Sequence, residues 1–143
     1  VNREDIARDF ESRNLTAPLA LINGDSTNTT VRDEARQQIG GESFDLIVTD
    51  PPYGIRESTN YNELDPLSEL LSSIAHDRES GTPLLRKGGK LVAFVPCTDD
   101  ERIEDCLPTE AQLAIAGLEF LDKREQPLND KLSRWLVSFR CTK

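Results

Sequence analysis

The 143 residues include 26 acidic against 17 basic side chains, which gives a formal net charge of −9. This length suits one domain with one core, and no apolar run approaches the roughly 20 residues that cross a bilayer. A protein that holds nucleic acid through its phosphates usually has a basic face, so this chain is poorly equipped to grip RNA or DNA unaided.

The cysteines and the histidine exclude further classes of site. Cys97, Cys106 and Cys141 are odd in number and widely spaced, without a CxxC pair, and His76 is the sole histidine. Such a set predicts free thiols and no zinc site within this chain. We therefore expect a soluble protein of the cytoplasm.

The first part of the chain predicts two helices and two strands. Apolar positions spaced for one buried stripe predict a helix over residues 2–15, and Pro18 ends that segment. Residues 19–22 read as a short apolar strand that closes at Asn23-Gly24-Asp25-Ser26. A helix follows over 30–39, stopped by Gly40-Gly41, and residues 44–49 form the second strand.

The second part alternates in the same way. A polar loop over 54–61 precedes a leucine-bearing helix over 63–75, and Gly88-Gly89 turns into a buried strand over 90–95. A helix over 109–116 is followed by strands over 118–125 and 134–141, which read as an antiparallel pair. The pattern predicts an α/β domain over 1–143 with five strands, mainly parallel and ending in that antiparallel pair.

The most informative motif is Asp50-Pro51-Pro52-Tyr53, which directly follows the second strand. The two prolines fix the backbone and remove two donors, while the carbonyls and the Asp50 carboxylate are free to accept hydrogen bonds. Tyr53 adds a flat face for stacking. A nucleobase amino group offers two N–H donors beside a π-face, so the motif predicts a site that methylates such an amine.

A structural interpretation of the same residues stays open. A Pro-Pro turn can simply end a strand, with Asp50 closing an Asx-turn. Two observations favour the functional interpretation: the motif follows a buried type of strand, where ligands of open α/β sheets bind, and an aromatic residue comes next.

Residues 44–59, which read Phe-Asp-Leu-Ile-Val-Thr-Asp-Pro-Pro-Tyr-Gly-Ile-Arg-Glu-Ser-Thr, closely resemble the active-site stretch of the tRNA guanosine-10 N2-methyltransferase catalytic subunits. The Asp-Pro-Pro-Tyr core is shared by many amino-methyltransferases of adenine, cytosine and guanine. The extension from Gly54 to Thr59 is much narrower and carries most of the assignment. Outside residues 44–59 only the order of elements matches.

The resemblance implies a class I methyltransferase sheet, which is Rossmann-like, and S-adenosylmethionine as cofactor. Asp25 and Ser26 would then lie beside the adenine of the cofactor, with Asp50 also near the cofactor. The catalytic and base-holding residues would be Asp50, Pro51, Pro52 and Tyr53, with Gly54 and Arg56 helping to bind the substrate. A helix N-cap is the alternative role for Asp25, and an ordinary loop ion pair is the alternative for Arg56 with Glu57.

The family pattern also has parts that this sequence does not show. Two earlier strands, one ending in a glycine-rich cofactor turn, are absent, as is the RNA-gripping N-terminal domain. We therefore expect an incomplete class I sheet, the C-terminal part of a catalytic domain, which binds the cofactor weakly or not at all by itself. tRNA would be bound by regions outside this chain, a small zinc-binding activator could cover part of it, and an uncovered sheet edge could drive self-association.

Overall fold

A computed structural model describes residues 2–51 and 66–143 of the chain. Its contacts divide the chain into two compact units, Val1–Glu42 and Ser43–Lys143. The interpretation of residues 1–143 as one partial methyltransferase domain stays a prediction.

The first unit contains two capped helices, α1 (Arg3–Ser12) and α2 (Thr29–Gln37). The Asn2 side chain accepts a hydrogen bond from the backbone N–H of Asp5, and that of Asn28 accepts one from Thr30. Asparagine at these N-caps satisfies backbone donors that a helix start leaves without partners. Both helices were predicted, and each ends two or three residues before the predicted boundary.

The predicted strand over residues 19–22 is wrong. These residues form no strand in the first unit, and Leu19 is 73% exposed. The Leu21 carbonyl accepts a hydrogen bond of 2.6 Å from the Arg3 guanidinium, where a strand would present it to a neighbouring strand. A short apolar run forms a strand only beside a pairing partner, and the described part of the chain therefore has four strands where five were predicted.

The second unit is built on a four-stranded mixed sheet of β1 (Phe44–Thr49), β2 (Leu85–Thr98), β3 (Leu118–Pro127) and β4 (Leu132–Cys141). The strand order is β1-β2-β4-β3. β1 and β2 are parallel, and β4 is antiparallel to both of its neighbours, so three of the four strands run in one direction. The α/β class with its antiparallel C-terminal pair is confirmed.

Gly88 and Gly89 lie inside β2, whereas the sequence predicted a turn before it. Phe44 pairs with Leu85 and Leu46 with Lys90, so β2 carries an irregularity between these pairs. Gly88 has φ +80°, and a Cβ on Gly89 would lie 2.9 Å from the Arg86 carbonyl oxygen. Such a β-bulge needs glycine because one residue takes a left-handed conformation and the next is in close backbone contact.

The core lies on one face of this sheet, against helices α3 (Pro66–Glu79), α4 (Ile103–Cys106) and α5 (Glu110–Ala116). α3 and α5 were predicted, and the short α4 was not. Alternate residues of the central strands β2 and β4 point into this core, as period-2 alternation requires; they are Leu91, Ala93, Val95, Cys97, Val137, Phe139 and Cys141. Among the described residues, no helix is long and apolar enough to cross a membrane.

Candidate functional site

Asp50 and Pro51 lie at the carboxyl end of β1, directly after Thr49. The Asp50 side chain is 52% exposed, and one of its carboxylate oxygens lies 3.7 Å from a guanidinium nitrogen of Arg134. Because β1 and β2 are parallel, this corner is at the edge of the sheet where ligands of open α/β folds bind. The position predicted from the sequence is therefore the one expected for a binding site.

Four further predicted site residues, Pro52, Tyr53, Gly54 and Arg56, lie outside the described residues. Their roles in stacking on the base and in binding the substrate stay predictions.

Arg134, on β4, lies beside the candidate site and was not singled out from the sequence. Its guanidinium carbon lies 4.2 Å from the centre of the Phe94 ring. Nε and Nη2 of Arg134 both donate to Oε1 of Gln126, at 3.0 and 2.6 Å. The side chain is 27% exposed, so packing and hydrogen bonds hold the cation that faces Asp50. An arginine in an alternating strand looks like an ordinary surface residue, and only the strand order brings it near residue 50.

The pairing register explains how Arg134 reaches the motif. Thr49 is level with Ala93, and Pro96 is level with Arg134. Phe94 and Pro96 lie on the face of β2 opposite the core, because they alternate with the buried Ala93 and Val95. The guanidinium therefore crosses the Phe94 ring on that face as it extends from β4 toward the end of β1.

Asp25 and Ser26 lie in the first unit, in the loop before α2. Oδ1 of Asp25 accepts hydrogen bonds from the backbone N–H and the hydroxyl of Thr27, at 2.8 and 2.7 Å. These bonds stabilise the carboxylate and hold the pKa of Asp25 below its ordinary value. The N-cap role is wrong for Asp25, because Asn28 caps α2. Asp25 is exposed and ionised at neutral pH, which suits an acceptor for an amino group.

A cleft of about 380 Å³ lies at the carboxyl end of β2, where Cys97 and Thr98 line it. Among the described residues its lining includes four carboxylates and no lysine or arginine; the acidic members are Asp99, Glu101, Glu125 and Asp130. Repulsion between these side chains and phosphate groups disfavours contact of this lining with an RNA backbone. The described residues also contain no group of three or more His, Cys, Asp and Glu side chains that could hold a metal ion.

Comparisons with known proteins identify relatives of one kind. A protein of Xenopus laevis named tRNA (guanine(10)-N(2))-methyltransferase TRMT11 is 34% identical over 70% of this chain and 23% of its own length. The Homo sapiens and Bos taurus proteins of that name are each 30% identical over 72% of this chain, and the matches cover 26% and 25% of them. The predicted resemblance is confirmed, and the chain spans about a quarter of the length of these relatives.

No family model matches the sequence. Two solved structures are distantly similar. One, titled "Conversion of a Disulfide Bond into a Thioacetal Group during Echinomycin Biosynthesis", is 17% identical with a TM-score of 0.48 over 96% of this chain and 61% of its own. The N-methyltransferase NodS of Bradyrhizobium japonicum WM9, in complex with S-adenosyl-L-homocysteine, is 20% identical with a TM-score of 0.37 over 71% and 48%. With TM-scores below 0.5, neither likeness bears on function.

Proposed function

We propose that this chain carries the base-binding corner of an S-adenosylmethionine-dependent methyltransferase that modifies the exocyclic amino group of a guanosine in tRNA. The observation that carries the proposal is the Asp50-Pro51 corner at the carboxyl end of β1, beside the parallel strand β2. The relatives named tRNA (guanine(10)-N(2))-methyltransferase support the choice of guanosine in tRNA over other amines.

The chemistry follows from the groups at this corner. The lone pair of an exocyclic amine is delocalised into the ring, so the nitrogen is a poor nucleophile. The Asp50 carboxylate and the Pro51 carbonyl are acceptors for its two N–H groups, and bonds to both favour a pyramidal nitrogen with an exposed lone pair. The negative charge of Asp50 also stabilises the positive charge that develops on nitrogen, and the carboxylate can take up the proton that nitrogen then loses.

Arg134 has a supporting role in this proposal. Its guanidinium is held by Phe94 and Gln126 and contacts one carboxylate oxygen of Asp50. A fixed cation on one side of the carboxylate restricts its rotation, which favours one orientation for the incoming amine.

S-adenosylmethionine, when bound, supplies an electrophilic methyl group. The resemblance assigns Asp25 to this group, and its side chain suits that role, because it is exposed and Oδ2 takes no part in the two bonds from Thr27. Its carboxylate would accept from the adenine amino group of the cofactor, and Ser26 would lie beside it. We also propose that the protein is cytoplasmic and that a small zinc-binding activator binds it. Regions outside this chain would make the contacts with tRNA.

The decisive test is tRNA methylation by the complete protein that contains this sequence, with labelled S-adenosylmethionine and mapping of the modified guanosine. Asp50→Ala should lower the rate at least about 100-fold, the effect of removing one well-placed stabilising group. Asp45→Asn is the control, since Asp45 lies on the strand that precedes the motif and its side chain forms an exposed ion pair with Arg86. Full activity of Asp50→Ala would overturn the proposal.

Two alternatives are separated by their substrates and ligands. An adenine N6 or cytosine N4 methyltransferase would label duplex DNA or another RNA in the same assay. A non-catalytic module that binds a protein partner would leave every substrate unlabelled, and calorimetry on the complete protein would show no heat with S-adenosylmethionine.

A further inference from the structure

Two cysteines of the second unit lie in contact. Cys97 is the second-to-last residue of β2, at its carboxyl end, and Cys106 is the last residue of α4. Their Sγ atoms are 3.7 Å apart, while a disulfide bond is about 2.05 Å long. A shift of about 1.7 Å between the two sulfurs would therefore bring them to bonding distance.

The surroundings permit that shift on the side of Cys106. α4 has only four residues, of which Ile103 alone is buried, and the chain after it is extended at Leu107. Cys97, by contrast, lies in a strand paired with Ser133 and is 5% exposed. The short helix is thus the partner with fewer buried contacts, and its ion pair with the sheet, between Glu104 and Lys123 of β3, joins partly exposed side chains.

The two thiols also differ in access to solvent in a way that suits stepwise oxidation. Cys106 is half-buried, so a small oxidant can reach it, whereas Cys97 is only 5% exposed. In oxidations of this kind the more accessible thiol reacts first and the neighbouring thiol resolves the product.

The third cysteine lies far from this pair. Arg140 pairs with Lys90, so Cys141 is near the beginning of β2, about 25 Å along the strand from Cys97 at roughly 3.3 Å per residue. It is buried as well, with 3% exposure. Cys141 is therefore an internal control for the reactivity of the other two.

We propose that Cys97 and Cys106 form a reversible disulfide when the protein meets a peroxide. The Cys106 thiolate attacks one oxygen of hydrogen peroxide, the O–O bond breaks, and Cys106 becomes a sulfenic acid as hydroxide leaves. The Cys97 thiolate then attacks that sulfur, forming the S–S bond and releasing a second hydroxide. Protons from the two thiols turn both hydroxides into water, and the two electrons lost by sulfur reduce the peroxide.

This site is at the sheet edge that carries the methyltransferase motif. β1 and β2 are parallel, so the end of β2 at Cys97 and Thr98 faces the same way as Asp50. Cys97 also lines the acidic cleft together with Ile103 of α4. The disulfide would tie α4 to the end of β2 and fix one wall of that cleft.

Trypsin makes a direct test possible, because it cleaves after Arg102, between the two cysteines. The reduced 143-residue chain is treated with a small excess of hydrogen peroxide at pH 8, alkylated and digested without reductant. We expect peptides 91–102 and 103–123 to appear joined, with a mass lower than their sum by two hydrogen atoms. Cys141 should stay reduced during the peroxide step and be recovered as the alkylated residue. Dithiothreitol added before alkylation should restore all three thiols.

Cysteine variants test the two oxidation steps separately. Cys97→Ser should leave Cys106 as a sulfenic acid that dimedone traps, and Cys141→Ser should form the linked peptides at the wild-type rate. Cys97→Ala replaces Cys97→Ser if the serine variant does not fold. Oxidation that joins two chains, that modifies Cys141 as fast as Cys106, or that never links 91–102 to 103–123 would overturn the proposal.

Discussion

Replacing Arg134 with methionine should destabilise the chain and is the sharpest test of the site. Methionine keeps the apolar stem of the side chain and removes the guanidinium with all its polar contacts. The cation–π contact with Phe94 at 4.2 Å contributes about 0.5–1 kcal/mol for a partly buried pair. The two bonds to Gln126 converge on one exposed amide oxygen and add about 0.5–1 kcal/mol.

The ion pair between Arg134 and Asp50 adds little to that sum. Asp50 is 52% exposed and the separation is 3.7 Å, so its contribution is about 0–0.5 kcal/mol. The free energy of unfolding, measured in urea, should therefore fall by about 1–2.5 kcal/mol in Arg134→Met.

A double-mutant cycle isolates the aromatic contact. Phe94→Leu is made in the wild-type and Arg134→Met backgrounds, and the coupling should be about 0.5–1 kcal/mol. A coupling of zero, or a loss below about 0.3 kcal/mol in Arg134→Met, would refute the view that this cation is held in place.

Three further changes test the packing and the charges. Phe139→Ala should lower the free energy of unfolding by about 3–5 kcal/mol, because Phe139 is 0% exposed in the core; a loss below 1 kcal/mol in urea would contradict the assigned core. Gly89→Ala should lower it by about 1–3 kcal/mol, since the new Cβ would lie 2.9 Å from a backbone oxygen; wild-type stability would argue against the bulge. Thr27→Val should raise the pKa of Asp25, followed by carbon NMR, because one of its two donors is lost. A carboxyl whose pKa is lowered in the folded state stabilises the fold at pH values above its unfolded pKa, and this stabilisation is lost as the pH falls through the folded pKa. The stabilisation from Asp25 should therefore be smaller in Thr27→Val. An unchanged pKa of Asp25 in this variant would refute the assigned cause.

Local patterns predicted most of the elements correctly. The helix α5 is an example: Thr109 caps it in a capping box with Gln112, and Gly117 ends it with φ +72°. These signals depend on neighbours in the sequence, so they can be read without knowing the fold. The alternation in β4 is likewise local, and its antiparallel pairing with β3 was predicted.

The errors arose where the outcome depends on distant partners. Residues 19–22 have the composition of a strand but lack a strand beside them, and the Leu21 carbonyl bonds to Arg3 across 18 residues. Gly88-Gly89 looks like a turn, yet its place in β2 follows from pairing with β1. The cysteine pair was missed because Cys97 and Cys106 are nine positions apart in the sequence, and only the fold brings their sulfurs into contact.

The strand order explains why the four-residue motif alone does not reveal the ion-pair partner of Asp50. β4 lies two strands from β1, about 10 Å at the usual spacing of strands. An arginine side chain can cover most of that distance only if it extends along the sheet, and the Phe94 ring lies beneath its path. Gln126 of β3 fixes the guanidinium from the other side. The C-terminal strand pair therefore positions the cation that faces Asp50, and a chain that kept the motif but lost this pair would leave the carboxylate without its partner on β4.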